Sequence, residues 1–276
     1  GYSHMQQAMI SSIGHYACNF VESLLDDIEY LSYAYQHINK NPLGSAAGFG
    51  IPLLLDREIT TKELKFRKIQ INSLYCQNSR GKFESIYLEC LAQIMLTLSR
   101  FATDLLFFTS QELDFFKVKN NLVTGSSIMP QKRNLDAMEI LRGNTAVIIN
   151  NQHLIQTLTK SLISGYNRDL QLIKKPLFES TDIVLDSLDV VELYLKGIEP
   201  KEESILKKIN KNIFASDLAI EMTKNKKTPF RIAYQKALKL VKKQKVDIQQ
   251  NIKSKISLGA PGNLDINYYK NRIAKI

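Results

Sequence analysis

The stretch 124–134, TGSSIMPQKRN, combines side chains that could bind or activate a small anion. Its hydroxyls, Ser126 and Ser127, are followed by Lys132, and Asp136 lies where the next helical pattern begins. Free N–H groups and the dipole at a helix N-terminus attract anions, so this arrangement predicts a carboxylate-binding corner. The alternative is a glycine-serine linker whose lysine faces water, and residue types alone leave both interpretations open.

Gly125 and Pro130 predict that this stretch is an irregular loop. Glycine lets the backbone adopt conformations closed to other residues, and proline stops a helix from running through. Asn134, Leu135 and Asp136 are expected to open the next helix, with Asp136 as its N-cap or as a first-turn acid. The loop would therefore present its polar side chains directly ahead of a helix.

Long helical patterns lie on either side of the loop, and they are the elements that must position it. Residues recur at steps of three and four in three largely apolar stripes: Leu91, Met95, Leu98, Ala102 and Leu105; Met138, Leu141, Thr145, Ile148, Gln152 and Ile155; Val184, Leu188, Val191, Leu195 and Ile198. Another helix is expected in the first 35 or so residues. Helices with stripes of this kind pack at crossing angles of about 20°. The pattern therefore predicts an all-α protein, built as an elongated bundle of long antiparallel helices.

The bundle is expected to fill residues 1–200 as a central domain. The segment after Pro200 is basic and is broken at KKTP and LGAPG, which predicts a small C-terminal helical domain over 201–276. The +10 net charge comes largely from lysines in this segment, interleaved with Leu, Ile and Val at helical spacing. Solvated helix faces explain that pattern better than a nucleic-acid surface, so no nucleic-acid partner is expected.

Composition predicts a soluble protein of the cytoplasm. The longest apolar run, 91–108, contains Arg100 and Asp104, so no membrane span is expected. The opening GYSHMQ has neither the basic nor the apolar region of a secretory signal. The three cysteines lack metal-ligand spacing, which predicts reduced thiols and no metal site.

Several segments together resemble a known family. GSSIMPQKRN is similar to the signature loop of the fumarase/aspartase superfamily, whose members eliminate fumarate from substituted succinates. Within it, GYSHMQ, NPLGSAAGFGIPLLLDRE, YNRDLQLIK, ASDLAIEM and TPFRIAY resemble segments of argininosuccinate lyases. Adenylosuccinate lyases are a weaker match, because they have an aromatic residue where this chain has Gln131.

The resemblance implies reversible cleavage of argininosuccinate to arginine and fumarate, without a cofactor, at sites shared between the chains of a homotetramer. It places the base on Ser126, the stabilising cation on Lys132 and a carboxylate-binding amide on Asn134. A serine needs help to act as a base, from a helix dipole, a nearby cation and exclusion of water. Ser127 is interpreted as a loop-shaping hydroxyl.

The remaining site residues also follow from the resemblance. His4 corresponds to the family's histidine and Glu139 to its carboxylate partner, a pair suited to protonating a departing guanidino group. Ser3 stands in place of a threonine and keeps the hydroxyl. The family's substrate-contacting positions fall on Tyr166, Gln171 and Lys174; the last two are expected to share a helix face. For Lys174 a solvent-facing role is the alternative.

Two features depart from the family pattern. Leu135 stands where a proline is usual just inside the helix. By family comparison, GYSHMQ falls in mid-protein, so contacts to the arginine end of the substrate are expected to be missing, with weak fumarate binding and poor turnover as the result. A catalytically incomplete helical scaffold is therefore the alternative function, although retention of the loop residues and His4 favours an enzyme.

Overall fold

A computed structural model of the chain describes residues 1–243 and 245–276, and helices dominate them, which confirms the all-α class. The α-helices of these residues are α1 Ile13–Ile38, α2 Arg57–Glu63, α3 Ser73–Asn78, α4 Lys82–Phe108, α5 Asp136–Thr159, α6 Lys174–Leu195, α7 Glu202–Lys208, α8 Ala215–Lys226, α9 Phe230–Leu240, α10 Ile248–Lys253 and α11 Ile266–Ile273. Short 3-10 helices lie at Ala46–Gly48, Asn120–Leu122, Arg168–Gln171, Lys211–Phe214 and Val241–Lys243.

The described strands are two or three residues long and were not anticipated from the sequence. The antiparallel pairs are β1 Tyr2–Ser3 with β2 Gln6–Gln7, and β5 Phe116–Val118 with β6 Ile198–Pro200; the parallel pair is β3 Lys40–Asn41 with β4 Lys68–Ile69. Runs this short carry too few residues for an alternating pattern to be read.

The backbone groups into two compact units. The bundle unit comprises Leu24–Ser110 and Phe116–Pro200; the terminal unit comprises Gly1–Ser23, Gln111–Phe115 and Lys201–Ile276. Both this grouping and the predicted domains change at residue 200, but the first 23 residues group with the C-terminal segment. The division of the chain into a domain of residues 1–200 and a domain of residues 201–276 stays a prediction.

Helices α4, α5 and α6 form the core of the bundle unit. Side-chain hydrogen bonds join Gln156 to Ser85, Gln152 to Glu89 and Thr145 to the carbonyl of Met95, so α4 and α5 run antiparallel. The stripes predicted for these two helices are buried apart from the half-buried Gln152, with Met95 and Met138 fully inaccessible. Burying such side chains stabilises the fold by roughly 1.5–3 kcal/mol each.

The α6 stripe is buried only in part. Val184 and Val191 are buried, whereas Leu188 and Leu195 are 38% and 57% exposed. The 3.6-residue repeat therefore indicated the helix correctly, but not which of its apolar residues this chain covers.

Gly81 fixes the position at which α4 begins. Its φ of +81° lies in the left-handed region, and a β-carbon added there would come within 2.0 Å of Thr159 Cγ2 at the end of α5. The carboxylate of Glu84 accepts the Gly81 N–H at 2.6 Å and caps the helix. Only glycine allows the two helix ends to approach this closely.

Helix α4 is long and apolar enough to cross a membrane by length and composition, contrary to the expectation drawn from Arg100 and Asp104. However, 44% of its most apolar window is buried inside the protein. Helix α4 packs against α5 and α6 within the chain.

In the terminal unit, α8 packs on α9 around Ala219, Ala233 and Ala237, which are fully buried. The β1–β2 hairpin is bound to the last residue of α7 and to the segment after it. The Gln7 amide donates to the Lys208 carbonyl at 2.7 Å and accepts the Asn210 N–H at 3.2 Å. These bonds hold the hairpin that carries His4.

Candidate active site

The loop predicted to carry the chemistry is closed at its base by a backbone bridge. Thr124 and Asn134 exchange two hydrogen bonds, of 2.9 and 3.0 Å. The Thr124 hydroxyl also donates to the Asp136 carboxylate at 2.5 Å. These bonds join both ends of the loop to the first residue of α5, so residues between them protrude as one closed loop from the helix start.

Within the loop, the Ser126 hydroxyl accepts two backbone hydrogen bonds. The N–H groups of Ile128 and Met129 point at its Oγ, at 3.3 and 3.1 Å. Two such donors favour the ionised form of the group that accepts them. The half-buried Ser126 Oγ is thus held by two backbone N–H groups of its own loop.

Lys132 and Arg133 are adjacent and basic, yet their surroundings differ. The Lys132 side chain is exposed, and its backbone N–H donates to the Met129 carbonyl at 3.0 Å. The Arg133 guanidinium instead donates to the Val118 carbonyl at 3.2 Å and to Asn120 Oδ1 at 2.9 Å. Arg133 therefore anchors the loop, and the Lys132 ammonium makes no ion pair among the described residues.

The start of α5 resolves the two roles considered for Asp136. Leu135 occupies the N-cap position without a side-chain hydrogen bond, and both Asp136 and Glu139 lie in the first turn. Asp136 is thus a first-turn acid and not the cap, while Glu139 is exposed on the same turn. Gly125, in contrast to the prediction, does not occupy the left-handed region, and a β-carbon there would contact nothing within 4 Å.

Asn134, at the end of the loop, keeps part of its amide available. Its Nδ2 donates to the Gly125 carbonyl at 3.4 Å, which is a long bond and engages one of two N–H donors. Ser126, Lys132, Asn134 and Glu139 therefore all lie on the loop or in the first helical turn after it.

His4 lies at the tip of the β1–β2 hairpin in the terminal unit. Ser3 pairs with Gln6, which leaves His4 and Met5 as a two-residue turn with φ of 53° and 60°. Both values are positive, as a type I′ turn requires, and glycine or asparagine usually supply them. At residue types other than glycine and asparagine, a positive φ costs about 1–3 kcal/mol per residue, and such residues cluster at functional sites. His4 Nδ1 lies 3.4 Å from Ser3 Oγ.

Tyr166, in the bundle unit, is 48% exposed and contacts three polar side chains. Its hydroxyl accepts a hydrogen bond from Gln171 Nε2 at 3.2 Å. The guanidinium carbons of Arg80 and Arg168 lie 5.2 and 6.0 Å from the ring centroid. The structure thus brings two of the predicted substrate contacts together and adds two cations. Arg80 was missed in the sequence, where an arginine ahead of α4 carries no signal.

Gln171 and Lys174 do not share a helix, contrary to the expectation from their spacing. Gln171 ends the 3-10 helix Arg168–Gln171, and Lys174 is the first residue of α6, with an exposed side chain. A spacing of three residues gives one face only within a continuous helix.

The predicted site residues thus form three groups: the serine loop and the Tyr166 group in the bundle unit, and Ser3 with His4 in the terminal unit. Among residues 1–243 and 245–276, no cluster of three or more His, Cys, Asp or Glu side chains could hold a metal ion. Thr124 was also missed in the sequence. Its signal was the hydroxyl before the loop and the acid after it, Asp136, because such a pair can form a hydrogen bond that closes the loop.

Comparison with known proteins identifies the class. The profile of a family described as "Lyase" matches residues 1–150 of the 276, so the chain belongs to that lyase family. It is 41% identical over 234 residues to the argininosuccinate lyase of Thermotoga neapolitana and 37% identical over 274 residues to that of Sorangium cellulosum. These alignments include 85% and 99% of this chain. They confirm the resemblance to argininosuccinate lyases.

The chain spans 58% and 63% of the length of these two relatives. Among solved structures, an EDDS lyase variant with bound fumarate superposes with a TM-score of 0.87 at 18% identity, over 100% of this chain and 62% of that one. The class II fumarase of Schistosoma mansoni gives 0.71 at 20% identity, over 88% and 54%. These likenesses establish the fold.

Proposed function

We propose that the protein is an argininosuccinate lyase, which eliminates fumarate from argininosuccinate and releases arginine. The observation that carries this proposal is the Ser126 hydroxyl held by the N–H groups of Ile128 and Met129, in a loop that also presents Lys132. The argininosuccinate lyases related to the chain support the substrate.

In the proposed reaction, Ser126 removes a proton from the carbon next to a carboxylate of the succinyl group. The electrons of that C–H bond pass into the carboxylate, which becomes a doubly charged aci-carboxylate. The two N–H donors stabilise the serine alkoxide that acts as the base, at distances of 3.3 and 3.1 Å. A positioned base contributes typically about 10²–10⁴-fold to a rate.

Stabilising the aci-carboxylate is assigned to Lys132, to the free N–H of the Asn134 amide and to the N-terminus of α5. Lys132 is free of ion pairs among the described residues, so its charge is available to a ligand. Arg133 is not assigned this role, because its guanidinium is bound to Val118 and Asn120. Donors aimed at the position where charge develops supply the largest part of many such rate enhancements.

Collapse of the aci-carboxylate forms the carbon–carbon double bond of fumarate and breaks the bond to the guanidino nitrogen. His4, paired with Glu139, is proposed to give that nitrogen its proton. Tyr166, Gln171 and Lys174 are proposed to bind the rest of the substrate. Following the resemblance to argininosuccinate lyases, we propose that each site combines His4 and Ser126 from different chains of a homotetramer.

Exposed apolar side chains on the bundle helices support such an assembly. The apolar residues of the α4 and α5 stripes do not provide this interface, because they are buried within the bundle unit. Other apolar residues are 38–64% exposed: Ile140, Val147, Ile149 and Leu154 on α5, and Phe178, Leu185, Leu188, Leu193 and Leu195 on α6. Faces of this kind mark interaction sites. We propose a cytoplasmic location for the assembly.

The proposal is tested by the appearance of fumarate at about 240 nm when purified protein is mixed with argininosuccinate. Ser126→Ala should lower the rate by about 10²–10⁴-fold without changing the unfolding temperature. Ser127→Ala is the matched control, because it removes the neighbouring hydroxyl, to which the proposed reaction gives no role. Equal losses in the two variants would contradict the assignment of the base.

Shared sites are tested by mixing chains. Ser126→Ala and His4→Asn variants should each be inactive alone, but co-expressed they should regain fumarate release, because some sites of a mixed tetramer combine an intact Ser126 with an intact His4. Light scattering should give the mass of a tetramer. A monomeric mass, or mixed chains without activity, would contradict sharing.

A further inference from the structure

Tyr166 is tied to a distant part of the fold by Arg80. Arg80 follows α3, and its half-buried guanidinium stacks on the Tyr166 ring at 5.2 Å from the centroid. No carboxylate of the described residues forms an ion pair with it. The Arg80 charge is therefore directed to the ring and not neutralised elsewhere.

Asn78 makes a second tie between the same two segments. Its Oδ1 accepts the N–H of Gly165, the residue before Tyr166, at 2.7 Å and across 87 positions of the chain. Gly165 has a φ of +108°, a conformation that other residues rarely adopt. Asn78 thus holds the backbone that aims the ring, while Arg80 holds the ring itself.

The segment 78–81, which makes these two contacts, is itself joined to the ends of two helices. Gly81 touches Thr159 at the end of α5 and is bonded to Glu84 at the start of α4. Arg168, the other cation near the ring, lies in the same short 3-10 helix as Gln171, only two positions from Tyr166. Arg168 therefore belongs to the same local segment as the ring, whereas Arg80 reaches the ring from a segment that is distant in the sequence.

We propose that Arg80 is a positioning residue: it holds the Tyr166 ring, and through it the Tyr166–Gln171 hydrogen bond, in the orientation that receives the substrate. The inference rests on the proposed function for its effect on catalysis, but the placement of the ring by Arg80 does not. A ring fixed before the substrate arrives spares the cost of ordering it during binding.

Kinetics separate this role from a general effect on folding. Arg80→Met should raise KM for argininosuccinate by about 3- to 10-fold and change kcat by less than about twofold, as expected for loss of a cation–π contact outside the reacting atoms. Arg80→Lys keeps the charge and should recover part of the loss. Arg168→Met is the matched control and should have the smaller effect.

A double variant tests whether Arg80 acts through the ring. In a Tyr166→Leu background, Arg80→Met should add no further increase in KM, because the partner of the guanidinium is already absent. Increases that multiply would mean that Arg80 acts independently of Tyr166, and would overturn the proposal.

A spectroscopic measurement decides the positioning role even if argininosuccinate is not cleaved. In protein labelled with 3-fluorotyrosine, the ¹⁹F resonance missing from Tyr166→Phe belongs to Tyr166. Arg80→Met should shift that resonance more than Arg168→Met does, at an unchanged unfolding temperature. An unmoved resonance would overturn the proposal, whereas a shifted resonance without fumarate release would overturn only the proposed function.

Discussion

Replacing Gly81 with alanine should destabilise the bundle by an amount that the structure allows to be divided into two parts. The φ of +81° costs an L-residue about 1–2 kcal/mol. The added methyl group would come 2.0 Å from Thr159 Cγ2, and overpacking of this kind costs about 1–3 kcal/mol. Together they predict a loss of about 2–5 kcal/mol, or roughly 4–20 °C in the unfolding midpoint for a unit of this size.

Two further variants separate the backbone cost from the overpacking cost, with unfolding followed by circular dichroism. Thr159→Ser removes the methyl group that clashes but keeps the hydroxyl bonded to Ile155, so added to Gly81→Ala it should restore the overpacking part only. Gly50→Ala has a φ of +74° and nothing within 4 Å, so it should show the backbone cost alone. If Gly81→Ala is no worse than Gly50→Ala, or Thr159→Ser brings no recovery, the close approach of the helix ends has been misjudged.

Three other predictions concern single side chains. Lys132→Met should abolish fumarate release with the fold intact, whereas Arg133→Met should retain most of the rate but lower the unfolding temperature; equal loss of activity would mean that charge matters and placement does not. Burial raises the pKa of the Asp27 carboxyl, although the Thr97 hydroxyl donates a hydrogen bond to it. The native state therefore loses stability as pH rises through this raised pKa and Asp27 ionises. Asp27→Asn should therefore raise the unfolding temperature at pH 7 and lose that gain near pH 3, below the ordinary value of 3.8; an equal gain at both would exclude ionisation as the cause. Burial, and next the charge of Glu89, raise the pKa of Cys90 to about 11, so a disulfide reagent at pH 8 should modify it only in urea, as mass spectrometry would report.

The amino-acid sequence by itself determined the helical class, because apolar residues at steps of three and four can bury one stripe only as a helix. Met95 and Met138 lie inside the bundle as that rule requires. The loop was also recognisable, because its residues are consecutive and its composition interrupts the helical pattern. The family followed from the same local segments.

Tertiary structure alone decided what those residues contact. Lys132 and Arg133 are both basic, and only the fold binds Arg133 to Val118 while the Lys132 ammonium forms no ion pair with the residues that the structure describes. The tie between Asn78 and Gly165 joins positions 87 residues apart, and no local pattern specifies such a contact. Helix formation depends on neighbours within a few residues, whereas the orientation of a side chain in a site depends on which distant helix ends meet, and that is set by packing of the whole bundle.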